Sequence, residues 1–333
     1  LQLHPGLVIG FGVTVIFMLL LDLGVFNKKT HIISSKEATI WSIIWISLSM
    51  VFSGVVYYIF NQDAGGHALA IEKFTQFQAA YWIEKALSVD NLFVFILVFS
   101  FFKVPRELHH KVLFYGIIGA LIMRAVFIFA GVEIINLTYL PAFELFGKSV
   151  QINVVMTLFG LFLVYAGIKS WGSGDDDEEE DYSNTAGAKL VKKLYKVSDN
   201  YDKDKFFTVQ NGIKMATPLL VVVAVIEFTD VLFAVDSIPA IFAISKDPFI
   251  LYTSNIFAIL GLRSLYFLLS NFIYMFSKLP YGLAFILSFI GVKMIISPWV
   301  HISSPVSLGI VGGVLIISVI ASLMFPEKKE ELA

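Results

Sequence analysis

Residues 84–93 read Glu84-Lys-Ala-Leu-Ser-Val-Asp90-Asn-Leu-Phe, and residues 230–239 read Asp230-Val-Leu-Phe-Ala-Val-Asp236-Ser-Ile-Pro. Each segment has a carboxylate, five residues ending in valine, an aspartate and then a small polar residue. Both segments stand inside long apolar stretches, where carboxylates are costly and are seldom retained without a function. The duplication predicts one cation site built from two related halves.

The surrounding composition is typical of a membrane protein. Of the 333 residues, 57% are hydrophobic and only 15% are charged, against about 25% charged in soluble domains. Apolar runs of this length predict transmembrane helices, and they lie near 7–26, 41–60, 79–102, 112–136, 152–171, 216–245, 250–273, 280–297 and 306–325. We therefore predict an all-α polytopic membrane protein of about nine helices, with residues 1–333 forming a single domain in the lipid bilayer. The net charge of −2 gives no indication of a nucleic-acid partner.

The connecting segments predict the orientation of the chain. Lysine and arginine concentrate in every second short loop and in the C-terminal tail, which places the N-terminus outside and the C-terminus in the cytoplasm. A long polar segment, 172–215, then falls on the cytoplasmic side. It includes the acidic run 175–181, and we interpret it as a solvated, partly disordered linker with a short amphipathic helix.

Further charged residues repeat in the same order after each acidic segment. Arg124 follows the first copy and Arg263 the second, and each copy ends with a Gly-x-Lys sequence at Lys169 or Lys293. The order predicts a repeat of three helices, with helices 3–5 and 6–8 running in opposite directions. Inverted repeats of this kind are typical of secondary transporters, whose sites lie near the middle of the membrane where the halves meet.

The candidate site is rich in oxygen ligands. Cysteine is absent and no histidine lies deep in an apolar span, whereas zinc and copper sites normally use sulfur or imidazole. Carboxylates, amides and hydroxyls favour Mg²⁺, Ca²⁺ or Mn²⁺, and we expect no organic cofactor. The predicted metal ligands are Glu84, Asp90, Asp230 and Asp236, with Asn91, Ser88, Ser237 and Glu227 as further candidates and Arg124 and Arg263 as charge partners. Exchange of the metal for protons is a hypothesis, because burial raises the proton affinity of empty carboxylates.

The helix backbone near the acids raises an open question. Pro239 stands inside the sixth predicted span, where a proline should kink or open the helix and free carbonyl groups beside Asp236. On an unbroken helix, residues six apart differ by about 240° around the axis. Either a break therefore brings Glu84 and Asp90 to one face, or the two acids serve successive positions on a path.

Several long sequences resemble the TerC family of integral membrane proteins, in particular its Alx-type members. They are Tyr81-Trp-Ile-Glu84-Lys-Ala-Leu-Ser-Val-Asp90-Asn91, Asn211-Gly-Ile-Lys-Met-Ala-Thr-Pro218, the segment from Glu227 to Ala243, Thr253-Ser-Asn-Ile-Phe-Ala-Ile-Leu-Gly-Leu-Arg263 and Phe289-Ile-Gly-Val-Lys293-Met. The resemblance covers about residues 40–325. It implies a location in the bacterial inner membrane, export of Mn²⁺ as the transported substrate, and a metal path through Glu84, Asp90, Asp230 and Asp236.

Two other functional classes remain as alternatives. One is a membrane accessory protein that delivers metal to secreted or membrane metalloproteins, or stabilises them. The other is an intramembrane enzyme, which we do not expect because the acid pairs come with symmetric arginines and without a nucleophile arrangement. A homo-oligomer is compatible with either class.

Overall fold

The computed structural model describes residues 5–26, 34–145, 148–172, 182–210, 212–272, 278–300 and 302–325. Helices dominate these ranges, as the composition predicts. The eleven α-helices described are α1 (Pro5–Phe26), α2 (Ser35–Phe60), α3 (Gly66–Phe101), α4 (Arg106–Leu137), α5 (Val154–Gly172), α6 (Ala186–Leu194), α7 (Pro218–Phe242), α8 (Pro248–Leu260), α9 (Leu262–Phe272), α10 (Leu279–Ile296) and α11 (Ser304–Met324).

Two short antiparallel hairpins lie in the connections between helices. Strand β1 (Phe143–Leu145) pairs with β2 (Lys148–Val150), and β3 (Phe207–Gln210) pairs with β4 (Ile213–Ala216). Within the described ranges the long apolar segments are helical, so the all-α polytopic membrane fold is confirmed.

The apolar helices agree with the predicted spans in position. Within the described ranges, seven segments are long and apolar enough to cross a membrane: Ser35–Phe60, Arg106–Leu137, Val154–Trp171, Pro218–Phe242, Pro248–Ser270, Leu279–Ile296 and Ser304–Met324. Helix α1 contributes a shorter apolar stretch, and α3 carries five charged residues among its 36. A count of nine crossings needs α1 and α3 as well, and it stays a prediction.

Helix α7 does not open at Pro239, so of the two predicted effects, a kink or an opening, the opening is wrong. It runs from Pro218 to Phe242 without interruption, and Pro239 lies three residues before its end, so the single hydrogen bond that the proline cannot donate does not end the helix there. Helix α3 is also continuous through position 90. Positions 84 and 90 therefore lie on different sides of α3, and the interpretation in which the two acids of each copy serve successive positions on a path stays a prediction.

The helix break occurs instead in the next span, at Gly261 between α8 and α9. The last turn of α8 has carbonyl groups that no longer find a partner inside the helix. Lys85 of α3, which is buried, donates a hydrogen bond of 3.3 Å from Nζ to the carbonyl oxygen of Ala258. A Cβ atom on Gly261 would lie 2.8 Å from the same Nζ, so any larger residue at this position would require the Lys85 ammonium group to move.

The helices pack in pairs that can be compared with the predicted repeat. Helix α3 packs against α8 and α4 packs against α7, which places the first helix of each copy on the second helix of the other. Helices α5 and α10, the third of each copy, cross closely where a Cβ atom on Gly291 would lie 2.6 Å from the carbonyl oxygen of Gly160. Two halves related by a two-fold axis would pair their helices in this way. The contacts do not establish the inverted repeat, which stays a prediction.

Much of the polar segment 172–215 is folded, and the short helix predicted within it is present as α6. Helix α6 packs on α7, where the backbone of Gly187 touches the carbonyl oxygen of Ala224 so closely that no side chain would fit. The hydroxyl of Tyr201 donates a hydrogen bond of 2.9 Å to the carbonyl oxygen of Phe102. The acidic run 175–181 lies outside the described residues, so its role stays open to experiment.

Candidate functional site

Arg124 of α4 lies at the centre of a polar cluster formed by four helices. Its side chain is fully buried, and its guanidinium donates hydrogen bonds to Glu84 of α3, Asn255 of α8 and Asp230 of α7. The bond from Nη1 to the Asn255 side-chain oxygen is 3.1 Å and that from Nη2 to Asp230 Oδ1 is 3.4 Å. One arginine therefore holds an acid from each half of the predicted repeat.

Glu84 is the most completely satisfied acid in the cluster. Its Oε1 atom accepts from Arg124 and, at 3.2 Å, from the hydroxyl of Ser88, while Oε2 accepts from the Asn255 amide at 2.9 Å. The side chain is 0% exposed. An ionised carboxylate in such a place is costly unless it is paired and hydrogen-bonded, and this one is both.

The cluster continues along one stripe on each of the two acidic helices. Ser88 and Asn91 follow Glu84 by four and seven residues, so all three share one side of α3, and Ser237 follows Asp230 in the same way on α7. Both Asn91 and Ser237 are buried. The Ser237 hydroxyl has no hydrogen-bond partner in the described part of the chain, which leaves an unused oxygen about 10 Å along the helix from Asp230.

Glu227 lies one turn before Asp230 on α7 and faces α4. A Cβ atom on Gly119 would overlap its carboxylate oxygens, so the absence of a side chain at position 119 is what makes room for this acid. Glu227 is partly buried and lies beside the cluster. Among the described residues, Arg124 makes its hydrogen bonds to Glu84, Asn255 and Asp230 and not to Glu227.

The structure brings together only part of the predicted metal-ligand set. Glu84 and Asp230 converge on Arg124, as predicted, whereas the side chains of Asp90 and Asp236 lie outside what the structure describes. Over the described side chains, no three of the histidine and acidic residues form a group that could hold a metal ion. Arg263 is buried on α9, two residues after the helix break, and its pairing role stays a prediction.

Sequence reasoning missed Asn255, which contacts both Glu84 and Arg124. The signal was present, because an asparagine inside an apolar span is unusual for the same reason that a carboxylate is. It also missed Gly119, whose importance depends on Glu227 of another helix, α7, and cannot be read from its own neighbours in the sequence.

Comparison with known proteins finds a family whose model matches most of the chain. The model of the TerC family, described as "Integral membrane protein TerC family", matches residues 69–330. "Uncharacterized membrane protein STKORF319" of Myxococcus xanthus is 43% identical over 322 residues, covering 96% of this chain and 92% of its own length.

Two further relatives carry a functional name. A protein of Escherichia coli K12 named "Putative membrane-bound redox modulator Alx" is 41% identical over 315 residues, or 93% of this chain and 92% of its own length. Its namesake in Salmonella typhi is 40% identical over 323 residues, or 97% and 95% of the two chains. No solved structure matches the chain. The family match spans most of the sequence and includes every acid and arginine of the cluster, so the chain belongs to the TerC family of integral membrane proteins.

Proposed function

We propose that this protein exports Mn²⁺ from the bacterial cytoplasm, with protons as the exchanged ion. The observation that carries the proposal is the pair of buried acids, Glu84 and Asp230, held by one arginine between helices of the two halves. Acids buried within a membrane bundle mark ion paths as a rule, and inverted-repeat transporters bind their ions where the halves meet.

Arg124 supports this function as a tethered cation. Two carboxylates against one guanidinium leave a negative charge in the cluster, and a divalent ion entering beside Glu84 and Asp230 would compete with Arg124 for the same oxygens. The predicted ligands Asp90 and Asp236, six residues further along their helices, would provide two carboxylates at the next position on the path, and Ser88, Asn91 and Ser237 would add neutral oxygens along the stripe. Protons would then replace the metal on the emptied acids during the return step.

The donor chemistry supports a hard cation. The cluster offers carboxylate, amide and hydroxyl oxygens, which suit Mn²⁺, Mg²⁺ or Ca²⁺. The choice of Mn²⁺ among these three rests on the resemblance to family members associated with manganese export.

The relatives' redox name suggests a different role for those proteins. The 333 residues of this chain contain no cysteine, so thiol–disulfide exchange within it is unavailable. A change in cytoplasmic Mn²⁺ would provide an indirect link between transport and redox state.

Purified protein in liposomes separates the exporter from the accessory alternative. We expect the protein alone to move Mn²⁺ into vesicles that hold a metal-sensitive dye, and an imposed pH gradient to change the rate. Protein-free vesicles and Ca²⁺ in place of Mn²⁺ are the controls. Vesicles that stay metal-free with correctly folded protein would support the accessory role, and a rate independent of the gradient would rule out proton coupling.

Replacement of Gly119 by alanine tests whether Glu227 takes part in the path. The added methyl group overlaps the Glu227 carboxylate and forces it to move, while alanine favours the helix itself. We expect the rate of Mn²⁺ transport to fall about tenfold, which is the smaller of the losses usual when a group that supports a metal ligand is changed. The melting temperature should stay nearly unchanged.

The matched control for that substitution is Gly313→Ala on α11, where an added Cβ meets nothing within 4 Å. If Glu227 is the group displaced, Glu227→Gln should give a similar loss and the double variant should be no worse. A Gly119→Ala protein that transports at the wild-type rate would remove Glu227 from the path.

A further inference from the structure

A second polar region lies away from the Arg124 cluster, at the end of the bundle where α7 and α10 finish and α11 begins. It is a cavity of about 760 Å³. Three lysines and two acids line it: Lys73, Lys246, Lys293, Glu72 and Asp247. The lining therefore carries one more positive than negative charge.

Two of these groups neutralise each other. Lys73 Nζ lies 2.6 Å from Asp247 Oδ2, and Asp247 also caps the start of α8. Glu72 accepts a hydrogen bond of 2.9 Å from the Gln76 amide and is exposed. Lys246 is exposed as well and opposite in charge to Glu72, so the excess positive charge of the lining falls on Lys293.

Lys293 is the deeper of these two lysines. It is 7% exposed, and its Nζ atom donates a hydrogen bond of 2.7 Å to the hydroxyl of Ser307. An ammonium group has three donors, and no carboxylate contacts this one among the described side chains. A buried charge with only a neutral partner is unfavourable unless a counter-ion joins it.

Ser307, the hydrogen-bond partner of Lys293, lies in the first turn of α11. This location adds the positive potential of the helix N-terminus to that of the ammonium group. The N-terminus of a helix carries a partial positive charge and free N–H groups, so a cation there is repelled. Ser303 occupies the capping position, but its side chain makes no capping hydrogen bond. The same cavity is lined by Ser303, Ser304 and Pro305, so the uncapped helix end and the buried ammonium face one space.

We propose that this end of the cavity binds a phosphate-type oxyanion between Lys293 and the first turn of α11. Phosphate oxygens accept from ammonium groups and from the N–H groups of helix N-termini, and a phosphate at this place would offset both positive groups. The anion is either free inorganic phosphate or the phosphodiester headgroup of an anionic lipid. Binding does not depend on metal transport, because none of these residues belongs to the Arg124 cluster.

Binding to delipidated protein in detergent tests the proposal directly. Equilibrium dialysis with radiolabelled inorganic phosphate measures the free anion, and native mass spectrometry with added phosphatidylglycerol measures the lipid. We expect at least one of the two probes to bind, and Lys293→Met to weaken that binding at least tenfold while Lys293→Arg retains most of it.

The matched control is Lys169→Met, which changes the exposed lysine of the first Gly-x-Lys sequence and should bind as the wild type does. Lys293→Gln serves as a second neutral variant if the methionine protein elutes as an aggregate. Phosphate binding without lipid binding identifies the free anion, and the reverse identifies the headgroup. The proposal is overturned if the wild-type protein binds neither probe, or if the neutral variants bind as tightly as the wild type.

Discussion

Replacement of Glu84 by glutamine is expected to stop Mn²⁺ transport while leaving the protein folded. Glutamine keeps the shape of the side chain and can still accept from Arg124 or Asn255, but it removes the negative charge that a cation needs. Changes at residues that merely support metal ligands cost about 10–100-fold in affinity or activity, so a ligand should cost at least that much. Asp230→Asn should have an equally large effect, because Asp230 is the corresponding acid of the second half.

The fold should survive either change because the second acid remains. With Glu84 neutral, Arg124 still has Asp230 as an ionic partner, and with Asp230 neutral it still has Glu84. Neither variant therefore leaves a buried guanidinium without a counter-ion, which is the costly situation. Size-exclusion profiles and melting temperatures in detergent should stay close to those of the wild type.

Glu133→Gln is the matched control, because it removes one negative charge just as Glu84→Gln does. Glu133 lies on the same helix as Arg124 but is exposed, and the structure places it away from the cluster. Transport by this variant should match the wild type in the liposome assay. If Glu84→Gln or Asp230→Asn also transports normally, the Arg124 cluster is not the metal path and the proposed function fails with it.

The sequence predicted the membrane class and the central acids because both depend on local properties. A run of apolar residues identifies a span wherever it packs, and a carboxylate inside such a run is unusual whatever its partners are. The cost of an unpaired carboxylate in the membrane predicted arginines as charge partners, and Arg124 does pair with Glu84 and Asp230, whereas their role as a metal site stays a prediction.

Features that depend on long-range packing could not be predicted in the same way. Pro239 indicated a break, but its effect depends on how far α7 continues beyond it, and the helix ends three residues later. The actual break at Gly261 is stabilised by Lys85, a residue of another helix. Nothing local to Gly261 indicates that an ammonium group will lie against it.

The fold of the polar segment 172–215 also depends on long-range packing and could not be predicted from its composition. Its charge predicted exposure, and Asp204 is indeed exposed, yet a hydrogen bond of 3.0 Å from Lys111 joins it to α4 and holds the pKa of its carboxyl below the usual value. An exposed pair of this kind contributes at most about 1 kcal/mol. The folded arrangement of α6 and of strands β3 and β4 therefore comes mainly from their packing on the helices, which composition does not reveal.

Replacement of Arg124 by methionine should have the largest effect on stability. It leaves Glu84 at 0% exposure and Asp230 at 5% without the cation that joins them. Removing one partner of a buried ion pair costs about 3–5 kcal/mol, because the remaining charge keeps its desolvation penalty and loses its compensation. In metal-free buffer the variant should therefore melt well below the wild type.

The same substitution should increase the stabilisation by Mn²⁺. If Arg124 competes with the metal for the two carboxylates, its removal leaves them free to bind, and a ligand that binds only the folded state raises the melting temperature as its affinity rises. Thermal unfolding in detergent with and without Mn²⁺ measures this shift. Arg124→Lys, which retains a charge, should show a shift closer to that of the wild type.

The double variant Glu84→Gln/Arg124→Met separates electrostatics from packing. It removes the guanidinium together with one of its two acids, so one buried carboxylate remains instead of a repelling pair. It should be more stable than Arg124→Met in metal-free buffer and should lose the enlarged Mn²⁺ shift, since only Asp230 keeps a charge. Equal melting temperatures for the single and double variants would mean that Arg124 stabilises the bundle by filling space. An Mn²⁺ shift no larger than that of the wild type would mean that the arginine and the metal do not share these oxygens.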